Sequence, residues 1–101
     1  MNENELPTVP LDNLCRAIAN PLRWRIIREL CRGEPLPVAE VARRLEVSGD
    51  VASKHLAILR EQGVAEPAYG SLTRIAPAFQ PKPGETVLDL GHCVIRLDTP
   101  L

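Results

Sequence analysis

Apolar residues recur every three or four positions through the first two thirds of the chain, then gather into short runs in the last third. Leu11, Leu14, Cys15 and Ile18 share one side of a helical wheel and predict a short first helix. Asn20-Pro21 starts a second. Asparagine accepts from the free N–H groups of a helix start, and proline suits the first position, where its missing N–H would have no partner. From Pro21 to Cys31, the residues Trp24, Ile27, Leu30 and Cys31 face one way, while Arg25, Arg28, Glu29 and Arg32 mostly face the other. Gly33 stops the helix, and Glu34-Pro35-Leu36-Pro37 makes a stiff connection.

Val38, Val41, Ala42 and Leu45 fall at i, i+3, i+4 and i+7, a third helix with one apolar side. Only Glu46-Val47-Ser48 separates it from a fourth helix at about residues 49–61, capped by Ser48 and stopped by Gly63. Val51 stands three residues after the cap, so there is no capping box. Ala52, His55, Leu56 and Leu59 form the inner stripe, with Val51 and Ile58 at its borders; Arg60 and Glu61 fall on the exposed side. Two short helices joined by so short a turn form a helix-turn-helix pattern, in which the second helix enters the major groove.

After Gly63 the period changes. Val64-Ala65-Glu66 and Leu72 to Ala76 read as short strands, and Pro77 to Glu85 (PAFQPKPGE) as a rigid turn. Thr86 to Leu97, rich in Val, Leu, Ile and Thr, carries the strongest strand signal. A hairpin with a long proline-rich tip behind a helix-turn-helix is a wing. The expected fold is mainly α with a small β hairpin, a winged helix-turn-helix over residues 11–101, after a flexible arm at residues 1–10.

At 101 residues the chain suits one domain with one modest core. With 3% aromatic residues, an aromatic platform for base stacking is not expected. The start, MNENELPTVPLDN, lacks a basic and then apolar leader, and no run suits a membrane span, so a cytoplasmic protein without membrane contact is expected. Net charge is −1, but its distribution is uneven: residues 20–74 hold nine Lys or Arg against seven acids. That mild excess permits a nucleic-acid partner without demanding one.

Cys15, Cys31 and Cys93 are odd in number and widely spaced, which indicates neither a disulfide framework nor a zinc site. They read either as inert thiols or as a thiol-based arsenic or redox sensor. His92 and Cys93, as strand neighbours, would point to opposite faces and form no ligand pair. Gly-rich phosphate loops, metal-binding histidine pairs and framed carboxylate pairs are not found in the sequence, so neither an enzyme nor a cofactor is expected.

Two motifs, in order, carry a resemblance. Ala17 to Ile27 (AIANPLRWRII) is similar to the "ALADPTRLRIL" entry to the second helix of the ArsR/SmtB family of bacterial winged-helix repressors. Ser48 to Val64 (SGDVASKHLAILREQGV) resembles that family's "SQSTVSRHLKVLREAGLV" recognition helix, and Val38 to Leu45 fits between them at the expected distance. The resemblance covers about residues 11–76. It implies a homodimeric, sequence-specific regulator, usually a repressor released by a signal, on a palindromic DNA operator with half-sites about 34 Å apart.

Carried over position by position, the resemblance puts Ser48, Gly49, Asp50, Val51, Ser53, Lys54 and His55 against DNA, with Arg74 on the wing. Arg43 and Arg44 either grip the DNA backbone or complement the end of their own helix. His55 either contacts phosphate or is a satisfied, half-buried residue that orients its helix. Arg23 and Arg25 either touch phosphates or belong to a solvated or ion-paired face, and Trp24 packs in the core or a dimer interface. The family's metal-sensing cysteine pair falls on Pro37 and Ala39, so that metal site is absent. Its second common site lies on a fifth helix after the wing, for which residues 77–101 carry no pattern, leaving the effector open and half the usual dimer interface missing. Asp50, the acidic arm, the long wing tip and Ala57, where a basic residue is common, favour the alternative of a winged-helix module that binds protein and has little DNA affinity.

Overall fold

A computed structural model describes residues 9–99. Four helices come first: α1 (Leu11–Ile18), α2 (Pro21–Leu30), α3 (Val38–Leu45) and α4 (Gly49–Glu61). Two antiparallel hairpins follow, β1 (Ala65–Pro67) with β2 (Thr73–Ile75) and β3 (Val87–Asp89) with β4 (Val94–Arg96), joined through a single 3-10 turn at Pro77–Phe79. The arm expected at residues 1–10 falls outside the described residues except for Val9, which is buried, and Pro10, which is exposed.

The helix ends follow the local chemistry. Asn20 Oδ1 accepts from the backbone N–H groups of Leu22 (2.8 Å) and Arg23 (3.3 Å), with Pro21 in first position. Ser48 Oγ accepts from the Val51 N–H at 3.2 Å and fixes the start of α4. Between α3 and α4 the chain turns through Glu46 in the left-handed region (φ 57°), and the Val47 N–H closes the turn on the Ala42 carbonyl at 3.0 Å. A non-glycine residue there stores strain that the short turn requires.

Ile26, Ile27 and Leu30 of α2, Val41 and Leu45 of α3, and Ala52, Leu56 and Leu59 of α4 close around one core. Leu14 and Ala17 join it from α1, and Leu36, Ile75, Phe79, Leu88 and Leu90 extend it toward the hairpins. The inward side of α1 therefore differs from the expected one: Leu11 is 53% exposed and Cys15 is also exposed. In an eight-residue helix two overlapping apolar stripes are available, and packing selects the one that carries the small Ala17.

The wing also differs from expectation. It is the β1–β2 hairpin, with Ala65 opposite Ile75, Glu66 opposite Arg74 and Pro67 opposite Thr73. Its tip is the short Ala68–Leu72 turn, closed by the Ala68 N–H on the Leu72 carbonyl at 2.8 Å, and not the proline-rich segment. Leu36, just before α3, adds a bridge on the far side of β2 through two backbone bonds with Thr73, both 2.9 Å. Arg60, expected in solvent, reaches from α4 to Thr73 Oγ1 at 3.1 Å and pins the wing to the end of that helix.

Thr86 to Leu97, expected as one strand, doubles back on itself. The Asp89 carboxylate accepts from the Gly91 N–H at 2.9 Å, and Gly91 takes a positive φ of 85° that favours glycine. His92 and Cys93 thus lie in a turn and not in a strand, with His92 Nε2 3.0 Å from the Val9 carbonyl. Leu88 and Leu90 are fully buried, and Arg28 of α2 donates to the Leu97 and Thr99 carbonyls at 2.6 and 2.7 Å. The second hairpin is thereby held against α2. The whole is a four-helix core with a wing, a winged helix-turn-helix.

Candidate nucleic-acid interface

The opposite sides of α4 have opposite jobs. Ala52, Leu56 and Leu59 are fully buried and hold it to the core. Ser48, Gly49, Asp50, Ser53, Lys54 and Ala57 are exposed on the other side, and Val51 is 37% exposed. Because Ser48 satisfies only the Val51 N–H, further N–H groups of the first turn point outward with the positive end of the helix dipole behind them. A Cβ added at Gly49 would meet nothing within 4 Å and its φ is unremarkable, so the fold itself does not require glycine there.

His55 stands between the two sides, half-buried. Arg23 Nη1 lies 3.2 Å from His55 Nδ1. A guanidinium only donates, so Nδ1 accepts and the neutral ring carries its proton on Nε2. The same guanidinium donates to the Ala17 and Arg16 carbonyls, both at 2.9 Å. Arg23 thus caps the end of α1 and orients the histidine of α4. Burial, then the charges of Arg23 and Lys54, push the His55 pKa down and favour the neutral imidazole. The sequence offers Arg23 either to phosphate or to a solvated or ion-paired face; this clamp is visible only once three helices meet.

The predicted arginines Arg43, Arg44 and Arg74 are engaged. Glu40 binds Arg43 through both carboxylate oxygens (2.8 and 2.6 Å) and Arg44 at 2.8 Å; Arg44 also reaches Glu29 of α2 at 3.2 Å. These bonds hold the Glu40 carboxyl down at about 2, with the Arg43 bond the largest cause. Arg44 therefore ties α3 to α2, whereas Arg43 is exposed on α3. On the wing, Arg74 is held by Glu66, its cross-strand neighbour, at 2.6 and 2.9 Å. Tyr69 at the wing tip is 78% exposed, a feature the low aromatic content hid.

The cysteines do not converge. Cys15 is exposed on α1, while Cys31 and Cys93 are half-buried. Burial pushes the Cys31 thiol up to about 12, which keeps it protonated at neutral pH. Among the described residues no group of three or more His, Cys, Asp or Glu is placed to hold a metal, and no helix is long and apolar enough to cross a membrane.

The surroundings of α4 agree with the comparisons. The chain is similar in structure to HlyU from Vibrio cholerae N16961, with a TM-score of 0.60 and 28% identity over 75% of this chain and 82% of that one. No curated protein matches it. A family profile described as a helix-turn-helix domain matches residues 18–68, from the last turn of α1 into the wing. The chain belongs to this helix-turn-helix family and is a DNA-binding transcriptional regulator.

Proposed function

We propose that the protein is an ArsR-type repressor that reads a palindromic operator as a homodimer. The outward face of α4 carries this reading: it is polar, exposed and backed by a fully buried stripe. Ser48 and Ser53 offer hydroxyls, Lys54 offers a cation, His55 presents its Nε2 proton, and Gly49 lets the backbone approach phosphate closely. Asp50 accepts from a cytosine amino group or complements the dipole of its own helix. Val51 supplies an apolar contact, and Arg43 and Arg74 reach phosphates where these outcompete Glu40 and Glu66. Arg44 supports α3 from behind. Residues 11–101 act as one DNA-binding domain, with residues 1–10 as an arm anchored through Val9.

The dimer contact falls on α1, where Leu11 and Cys15 are exposed beside half-buried Ile18. Repression follows from occupying a promoter. A second reading, a protein-binding module with little DNA affinity, is favoured by one observation: Arg43, Arg44 and Arg74 each face a glutamate. A salt titration of binding to the protein's own promoter DNA separates the two. A DNA reader loses affinity steeply with salt, and Lys54→Ala makes the log–log slope shallower by about one. Absence of salt-sensitive binding at low ionic strength rejects the repressor.

A further inference from the structure

Behind the wing lies a groove of about 710 Å³, bounded by the end of α2, the connection into α3, the base of β2 and residues 77–85. A neighbouring hollow of about 450 Å³ shares Cys31, Arg32 and Glu85 with it. Sites for small organic ligands run to roughly 300–1,000 Å³. Pro35, Pro77, Pro81 and Pro83 line the groove with compact apolar rings.

The outer wall is tied in place. Gln80 donates from its side chain to the Cys31 carbonyl at 3.2 Å. The Lys82–Glu85 turn is closed twice, by the Lys82 N–H on Glu85 Oε1 at 2.7 Å and by the Glu85 N–H on the Lys82 carbonyl at 3.0 Å. The charges are unequal, with Arg32, Arg74 and Lys82 lining the groove against Glu85 alone. Glu85 is partly occupied by the Lys82 N–H, and among the described residues the ion-pair partner of Arg32 is a loose one, Glu29 at 3.7 Å. Among the described residues Lys82 makes no ion pair.

We propose that this groove binds a small aromatic carboxylate and that the bound ligand acts on the wing. Proline rings pack against an aromatic face, and a guanidinium both stacks on such a face and pairs with a carboxylate. The Cys31 thiol adds a soft, uncharged patch and no competing anion. Arg74 connects the groove to the wing, since it lines the groove while its guanidinium is held by Glu66. A carboxylate in the groove competes with Glu66 for Arg74 and loosens the cross-strand pair. The effect on DNA rests on the repressor reading and is reciprocal: DNA that takes Arg74 weakens the ligand by the same factor.

The test is an amide NMR titration of the full chain with sodium benzoate, without DNA, against sodium acetate and benzyl alcohol at equal ionic strength. Benzoate is expected to shift the amides of Gly33, Ile75, Lys82 and Gly84 saturably, the two controls far less. Arg32→Ala and Lys82→Ala, both at exposed positions, are expected to weaken benzoate several-fold each. Equal shifts from either control, shifts scattered away from the groove, or full benzoate affinity in the double variant overturn the site. In a separate arm, saturating benzoate is expected to weaken promoter binding several-fold. Unchanged promoter binding overturns the action on the wing, whereas a protein that takes up benzoate but never binds DNA counts against the repressor reading alone.

Discussion

Arg23 on α2 and His55 on α4 are joined at 3.2 Å, and the same guanidinium closes the end of α1 through the Ala17 and Arg16 carbonyls. One side chain thus sets the position of three helices. Arg23→Ala is expected to cost about 1–3 kcal/mol, because hydrogen bonds from a charged donor are the stronger kind and two carbonyls lose theirs. Lysine cannot reproduce the fork, so Arg23→Lys should recover little of it. Denaturant unfolding of both variants checks this; a loss below about 0.5 kcal/mol in Arg23→Ala rejects the clamp.

Burial of His55, then the charges of Arg23 and Lys54, set a pH dependence. Because the folded protein holds the His55 pKa below its ordinary value of 6.5, the unfolded chain binds more protons as pH falls through that value. Stability is therefore fully present above about pH 6.5 and declines below it until the folded-state histidine also titrates. The His55 ring signals in NMR should titrate below 6.5 in the parent protein, with the midpoint rising in Arg23→Ala. A midpoint at or above 6.5 in the parent contradicts the assignment.

Much of this architecture is written in local pattern. The caps at Asn20 and Ser48, the stop at Gly63 and the stripe of Ala52, Leu56 and Leu59 are all short-range signals that the fold obeys. The failures have a common origin in long-range choice. The first helix had two apolar stripes, and only contact with the core selected Leu14 and Ala17 over Leu11 and Cys15. The run from Thr86 to Leu97 hid a turn, although Asp89 and Gly91 were its signal. Among the site residues, the exposed face of α4 follows from its period. The pairing of Arg74 with Glu66 needed a strand register, and the reach of Arg60 to Thr73 needed a tertiary contact, neither of which the sequence states.

Gly49 separates folding from binding. Its backbone is helical and the space around its Cα is open, so alanine fits without strain and removes the entropy that glycine loses on folding. Gly49→Ala is expected to raise stability by about 0.5–1 kcal/mol. If the glycine serves close approach to DNA, the same variant weakens promoter binding. A variant that is both more stable and equally tight binding removes Gly49 from the interface.

The cysteines should react in an order set by their surroundings. Cys15 is exposed, whereas Cys31 is half-buried with its thiol pushed up to about 12. Since the thiolate is the nucleophile, iodoacetamide at neutral pH should modify Cys15 first and Cys31 slowly, rising only on unfolding. Peptide mass spectrometry over a time course reads this directly. Rapid labelling of Cys31 in the folded protein overturns its protonated, shielded state, and a Cys15→Ser variant that still senses arsenite and oxidants normally removes that thiol as their target.

Glu40 holds two of the cations that the sequence offered to DNA, Arg43 and Arg44. Its carboxylate takes Arg43 through two bonds and Arg44 through one, and these hold its pKa down at about 2 from an ordinary 4.5. The depressed value means that the contribution is complete above about pH 4.5 and is lost as pH falls toward 2. Glu40→Gln removes that acid-range loss and at neutral pH releases Arg43, while Arg44 keeps Glu29 at 3.2 Å. On the repressor reading, one released cation on α3 beside α4 adds about one phosphate contact. Promoter binding should therefore tighten at low salt, and the log–log salt slope should steepen by about one. The opposing cost is a weaker α3, measured by thermal unfolding of the same variant. A folded Glu40→Gln protein whose salt slope matches the parent would show that Arg43 points away from the phosphates, leaving Lys54 to carry the electrostatics of the helix face.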